Sequence, residues 1–512
     1  MFHIRSAALV GLDAVTVDVE GDVSRMLPNF IIVGLPDAAI RESRERVRVA
    51  IKRSGFPFPT TKVTVNLAPA DIKKEGPAYD LPIAVAILAA QGSLTPPPWK
   101  TDHALFLGEL AFDGTLKPVA GVLPVAIAAP ALGFTELYVP AANAAEAALA
   151  PGVTVYPVRA LTELVRHLQG VETIAPQPVS AWVPLIPQPE CDFAHIKGQP
   201  SAKRALEIAA AGGHNVLLSG PPGAGKTMLA RAFPGILPAM TFEESLESTK
   251  IYSIAGLTDR NHPVVATRPF RAPHHSASGV ALIGGGSWPK PGEVSLAHRV
   301  VLFLDEFPEF PRLVLENLRQ PLEDGTVTIS RVHGTLRFPA KFILVAAQNP
   351  CPCGNAGDPG AVCSCPPAQV ARYGRRVSGP LLDRIDLHVE VPKLKTDEIF
   401  TASAAESSSS IRARVERARE TQRRRFAKTG ILTNAEMSAP VMKRFCARDA
   451  ACDALLRSSI DRLRLSVRGL TRVLKVARTV ADLAGEADIA TVHLAEALQF
   501  RERHHSVPDT AI

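Results

Sequence analysis

Residues 215–233 read NVLLSGPPGAGKTMLARAF, and the fold of the chain turns on this stretch. An apolar run, Val216 to Ser219, passes into G-x-x-x-x-G-K-T and then into a helix-forming segment. That order is the strand–loop–helix context a phosphate-binding loop requires. Gly220, Pro221, Pro222, Gly223, Ala224 and Gly225 would form the cradle, because backbone N–H groups in such a loop converge on phosphate oxygens and the helix N-terminus adds positive potential. Lys226 would reach the outer phosphates and Thr227 would ligate Mg²⁺. The competing reading, a Gly/Pro-rich turn that happens to carry Lys-Thr, leaves the flanking strand and helix unexplained.

Other apolar runs supply the partners such a loop needs. RVVLFLDEFPEF (299–310) ends its strand in Asp305-Glu306. A buried strand that finishes in two carboxylates is costly unless something uses them. Asp305 would bind Mg²⁺ and Glu306 would polarise the attacking water as general base, the plain alternative being an acidic helix cap. KFILVAAQNP (341–350) ends in Asn349, either a turn residue or a neutral amide that orients water against a terminal phosphate. SGPLLDRIDLHVEVP (378–392) sets Arg384 between two aspartates, as a local ion pair or as the arginine that completes a neighbouring subunit's site. LSVRGLTRVLKVARTVADLAG (465–485) has the spacing of a packed helix, and Arg468 near its start would fold back over the nucleotide.

The 512 residues exceed one core and divide by composition. Residues 1–172 mix strand-like and helical runs, with Asp37 as the cap of the first helix; 173–190 is a proline-rich linker. Residues 191–394 alternate strands and helices, which predicts an α/β core with a parallel sheet sandwiched by helices. A Ser/Ala-rich loop, 395–411, leads to a helical lid over 412–512. No apolar run reaches the about 20 residues of a membrane span, and no cleavage-like site follows the N-terminus, so no membrane partner and a cytoplasmic address are expected. The net charge of +7 fits a polyanionic partner.

CPCGNAGDPGAVCSCPP (351–367) carries four of the seven cysteines, as Cys351-x-Cys353 and Cys363-x-Cys365. Reduced thiols in that density predict either a structural tetrahedral Zn²⁺ site or a loop knitted by its own turns. The insertion follows Asn349-Pro350, so it falls beside the nucleotide site. The histidines of RAPHHSAS (271–278) lack a third ligand at metal spacing and read as a polar loop near the phosphates.

Phosphate loop, Asp-Glu, Asn and two arginines, in this order before a helical lid, resemble an AAA+ ATPase of the branch that includes magnesium-chelatase motors and MCM helicases. EDGTVTISRVHGTLRFPAKF (323–342) alternates as a β-hairpin, with Val327 and Ile329 answering Leu336 and Phe338 and a tip at 331–334. In that branch such a hairpin enters the pore of the ring. The resemblance therefore implies DNA contacts from Arg331, His333 and, in a second insertion, Lys290. The basic run SIRARVERARETQRRRFAKTG (410–430) reads equally as a solvated face. KKEGPAYDLPIAVAIL (73–88) and GELAFDGTLKPVAGVLPVAIAA (108–129) resemble the α+β proteolytic domain of Lon. Ala78 stands where that family has its nucleophilic Ser, and about Val125 where it has its Lys, so no protease activity is expected.

A dyad-free Lon-like domain before a chelatase-like motor is similar to the ComM/YifB family. The resemblance implies an ATP-dependent hexamer that binds single-stranded and branched DNA and drives branch migration in recombination and natural transformation, alongside recombination proteins. The alternative is a chelatase-like motor that remodels a protein partner without DNA.

Overall fold

The computed structural model describes residues 4–95, 99–179, 182–186, 191–259, 262–286, 289–331, 334–358, 360–394, 405–463 and 465–501. Among them no helix is long and apolar enough to cross a membrane. Two compact units emerge, Met1–Val183 with Phe242–Val265, and Pro184–Thr241 with Ala266–Ile512.

In the first unit, strands β1 (Ile4–Val10), β2 (Asp13–Ser24), β3 (Asn29–Val33) and β4 (Lys62–Ala68) form a sheet in the order β1-β2-β4-β3. Alternation in KVTVNLA puts Val63, Val65 and Leu67 into the core, as a period of two requires. Helix α1 (Ala38–Arg53) starts where expected, since Asp37 accepts a hydrogen bond from the Ile40 N–H at 2.8 Å. Helix α2 (Asp80–Ala90) is buried from Asp80 through Ala89, which suits its nearly uniform apolar sequence. A second, parallel sheet pairs β5 (Ala104–Phe106), β6 (Glu136–Pro140) and β7 (Thr154–Val158). Helix α3 (Val122–Ala128) carries Val125, 1% exposed, in an apolar cluster against which Ala78 also packs.

The helix Phe242–Ala255 lies inside the expected 191–394 stretch by sequence, yet it packs in the first unit. The Gly121 N–H donates to the Ser253 carbonyl at 3.0 Å, and Thr258 donates to buried Glu146 at 3.4 Å. The chain thus leaves the nucleotide-loop unit after the helix that follows the loop, and returns at 266.

The second unit centres on five parallel strands. In chain order these are β8 (Val216–Ser219), β9 (Phe270–Arg271), β10 (Val301–Leu304), β13 (Ile343–Gln348) and β14 (Leu387–Glu390), arranged β9-β10-β13-β8-β14. The hairpin pairs β11 (Thr326–Arg331) with β12 (Gly334–Pro339) in the expected register, Val327 opposite Phe338 and Ile329 opposite Leu336. Helix α4 (Pro200–Gly212) precedes β8, α5 (Lys226–Ala232) follows the loop, and α6 (Arg319–Asp324) leads into the hairpin. The lid contains α7 (Ser408–Phe426) and α8 (Val467–Ala484). Helix α7 begins four positions inside the expected 395–411 loop, because the Ser407 hydroxyl accepts the Ser410 N–H and starts the helix early.

Candidate functional site

The loop after β8 depends on glycine at two points. A Cβ at Gly220 would lie 2.1 Å from the Val391 carbonyl oxygen, so only glycine lets the chain leave β8 beside β14. Gly225 has φ +92 and caps α5, a conformation that costs other residues a Cβ clash. Lys226 is 8% exposed, and its ammonium donates to the carbonyls of Gly220 (2.6 Å) and Pro221 (2.9 Å) and to Asn349 Oδ1 (3.0 Å). All three donors are engaged, so a phosphate must exchange them. Burial lowers the Lys226 pKa while Asp305 opposes the shift. The geometry thus joins the loop lysine to the strand-ending amide.

Thr227 donates its hydroxyl to Asp305 Oδ2 at 2.9 Å, bringing together the two groups expected to share a Mg²⁺. Asp305 Oδ1 accepts the Glu306 N–H at 2.9 Å. Glu306 has φ +52, a left-handed conformation that non-glycine residues adopt at a cost of about 1–3 kcal/mol and that clusters at functional sites. Its carboxylate lies 2.8 Å from His275 Nδ1, an ion pair when the imidazole is protonated. Thr227, Arg231, His274, His275, Asp305 and Glu306 line a cleft of about 800 Å³. The two histidines therefore belong to the polar wall of this cleft, as their loop context suggested.

Gln199 had no signal in the sequence. It is 5% exposed with φ +57, and its amide donates to the carbonyls of Ala224 (3.3 Å) and Pro392 (2.6 Å). It ties the nucleotide loop to the chain leaving β14.

The two arginines sit together. Arg384 is 5% exposed and donates to Glu323, with a second bond of 2.7 Å to the Pro380 carbonyl. Arg468 donates to the other oxygen of the same carboxylate at 3.2 Å. Glu323 thus holds Arg468 beside Arg384. Arg472, one turn on, is 2.5 Å from fully buried Asp386 and so is committed to structure.

Cys351, Cys353, Cys363 and Cys365 bring their sulfurs within 4.8 Å of one another. Individual separations are 3.3, 3.7 and 3.6 Å, near the about 3.8 Å edge of a tetrahedron whose Zn–S bonds are about 2.3 Å. The Ala356 N–H donates to Cys351 Sγ at 3.3 Å, as an N–H that supports a thiolate ligand would. A Cβ on Gly354 would come 2.5 Å from Pro222 Cδ, so this knot touches the nucleotide loop.

Of the residues expected to face DNA, Lys290 is exposed on a short ladder pairing Gly284–Gly285 with Lys290–Pro291. A Cβ at Gly284 would sit 2.9 Å from Ile329 Cδ1, so ladder and hairpin pack together. Arg331 pairs with Gly334 at the hairpin end, and His333 lies outside the described residues. The basic run on α7 resolves toward structure. Arg414 reaches Glu207 at 2.5 Å, Arg419 the Ala210 carbonyl, Arg425 Asp482 at 2.5 Å, and Arg423 and Arg424 both Glu420.

Family profiles match in succession: subunit ChlI of Mg-chelatase over residues 19–143, magnesium chelatase subunit ChlI over 192–399 and the ChlI C-terminal region over 405–501. An uncharacterised protein of Mycobacterium tuberculosis is 45% identical over 499 residues, covering 97% of this chain and 98% of its own. Competence protein ComM of Haemophilus influenzae is 44% identical over 502 residues, 97% of each chain. YifB of Escherichia coli is 42% identical over 501 residues, 97% of this chain and 96% of that one.

Proposed function

Since the chain belongs to the ComM/YifB family of magnesium-chelatase-like AAA+ proteins, we propose that it is an ATPase whose hydrolysis drives a homohexameric ring along DNA and moves branch points. The observation that carries the reading is the convergence of Lys226, Asn349, Thr227, Asp305 and Glu306 by direct hydrogen bonds while Arg384 and Arg468 are held elsewhere, on Glu323. A site furnished with cradle, metal ligands and base, while Arg384 and Arg468 are engaged on Glu323, fits one half of a composite site. Bound ATP and Mg²⁺ would supply the phosphoryl group and the charge that draws it toward water. The loop N–H groups and Lys226 hold the phosphates, Thr227 and Asp305 the metal, and Glu306 accepts the proton of the attacking water. Asn349 orients that water. Arg384 and Arg468, sharing one carboxylate, serve the neighbouring subunit's nucleotide together.

The ladder that packs on the hairpin at Gly284 and Ile329 carries exposed Lys290, which would meet backbone phosphates; Arg331 and His333 are assigned the same role from the sequence of the hairpin tip. Binding of this kind is nearly sequence-blind and weakens with salt. The cysteine knot fits a structural Zn²⁺ that braces the nucleotide loop through Gly354 and Pro222.

The second reading, a motor that remodels a protein partner without DNA, draws on the chelatase profiles. Steady-state ATPase with and without forked DNA separates them: DNA stimulation supports the first, and indifference to every DNA form refutes it. An Arg384→Ala protein should bind ATP without hydrolysing it. Mixing it with Lys226→Ala should restore part of the rate, and no recovery would count against arginines acting across an interface.

A further inference from the structure

Glu323 lies at the root of the hairpin. It occupies the last turn of α6, which Gly325 ends at φ +64 before Thr326 opens β11. The Gly325 carbonyl accepts the Ala340 N–H at 2.8 Å and closes the hairpin base, while the Gln320 amide donates to Thr328 at 3.4 Å and fastens α6 to β11. Val327, Ile329, Leu336 and Phe338 are 2, 4, 8 and 1% exposed, so the hairpin is packed along one face. A tightly packed pair transmits a displacement at its base as a body movement rather than absorbing it.

The same carboxylate holds both arginines, and Arg384 is not fully satisfied there. Its Nε is buried without an acceptor. A buried donor left over is costly, and a phosphoryl group offers a guanidinium more acceptor oxygens than a half-shared carboxylate.

We propose that Glu323 is a positioning residue linking nucleotide to hairpin: it retains Arg384 and Arg468 while the adjacent site lacks a triphosphate, and their transfer to a triphosphate releases the α6 end and lets the hairpin shift. The proposal rests on the reading of Arg384 as trans-acting. A ligand moves a two-state element only through differential affinity, and here the arginines bind either the carboxylate or the phosphate. Linkage is reciprocal, so DNA that favours the released hairpin tightens ATP binding next door by the same factor.

The test is Glu323→Gln in the full chain. The change keeps shape and removes charge at a side chain 45% exposed, and an unchanged melting profile checks that the fold is retained. Without DNA its Kd for a slowly hydrolysed ATP analogue should fall about fivefold, and forked DNA, which on this proposal lowers the wild-type Kd, should no longer change it. Amide exchange over 326–339 should differ between ADP and a slowly hydrolysed ATP analogue in the wild type, and should match the analogue-bound pattern with either nucleotide in the variant. Glu323→Asp, which keeps the charge, should retain part of the DNA response. A role in shape alone would leave Glu323→Gln like the wild type in both readouts, and that result overturns the proposal. If Arg384→Ala hydrolyses ATP at the wild-type rate, the trans-arginine reading falls and takes this proposal with it. If Arg384→Ala is inactive while Glu323→Gln is unaltered, only the role of Glu323 falls.

Discussion

Glu306 combines a left-handed backbone with a carboxylate held 2.8 Å from His275, so its position is set from both ends. Replacing it by Gln preserves size and removes basicity. Hydrolysis should drop at least about 100-fold with ATP still bound, read by single-turnover phosphate release against nucleotide retention. His275→Ala frees the 54% exposed carboxylate to wander, so kcat should fall about tenfold with KM unchanged, because orientation matters more than binding here. That Lys226, Thr227, Asp305, Glu306 and Asn349 would come together was legible in sequence because each follows a strand end at a fixed offset. Glu323 was not, since its arginines lie 61 and 145 positions away, and no local pattern reports a partner that distant. Gln199 escaped notice for the same reason, with acceptors 25 and 193 positions off.

Strand β14 joins the nucleotide sheet to the lid through its first residues and the one before them. Asp386, 2% exposed, meets Arg472 of α8 at 2.5 Å, and burial that would raise its pKa is outweighed by Arg472 and His214. Because the folded pKa is depressed, this stabilisation is full above the ordinary aspartate range and is lost as pH falls below it. Arg472→Ala would strand the carboxylate in the interior and should cost about 3–5 kcal/mol, visible as a lower urea midpoint at neutral pH. His388, on the same strand, is pushed down to about 4, chiefly by burial and then by Arg501. The unfolded chain takes a proton near pH 6.5 that the fold refuses, so stability should decline from about pH 6.5 toward 4, by up to about 3 kcal/mol. Urea midpoints at pH 7.5 and 5 should converge in His388→Gln. Strand and hairpin periodicity carried these elements into view. Whether a basic helix faces solvent, phosphate or its own protein is decided by carboxylates elsewhere in the chain, as Glu207 and Asp482 decide it for α7.

The ATPase fold and its helical lid were readable because sheet and loop signatures repeat locally, whereas the division into units was not. Contiguous blocks are what composition can detect, and Phe242–Val265 breaks contiguity. At this scale the cysteine knot is also testable. With the proposed Zn²⁺ in place, its contact with Pro222 predicts that a chelator weakens ATP binding as well as lowering Tm. A fluorescent nucleotide titration before and after metal extraction checks the link, and unchanged affinity would separate knot from loop. The excursion of 242–265 into the first unit has a consequence for inheritance and for engineering. Polypeptide passes between the units at 183/184, 241/242 and 265/266, so the front block is stitched in rather than hung on. A gene fusion made at the proline linker would carry away β-sheets and leave their bracing helix behind with the motor. Such a block cannot be traded as a cassette; it must travel with the ATPase that lends it a helix, or collapse onto the apolar flank of α3 that this helix covers.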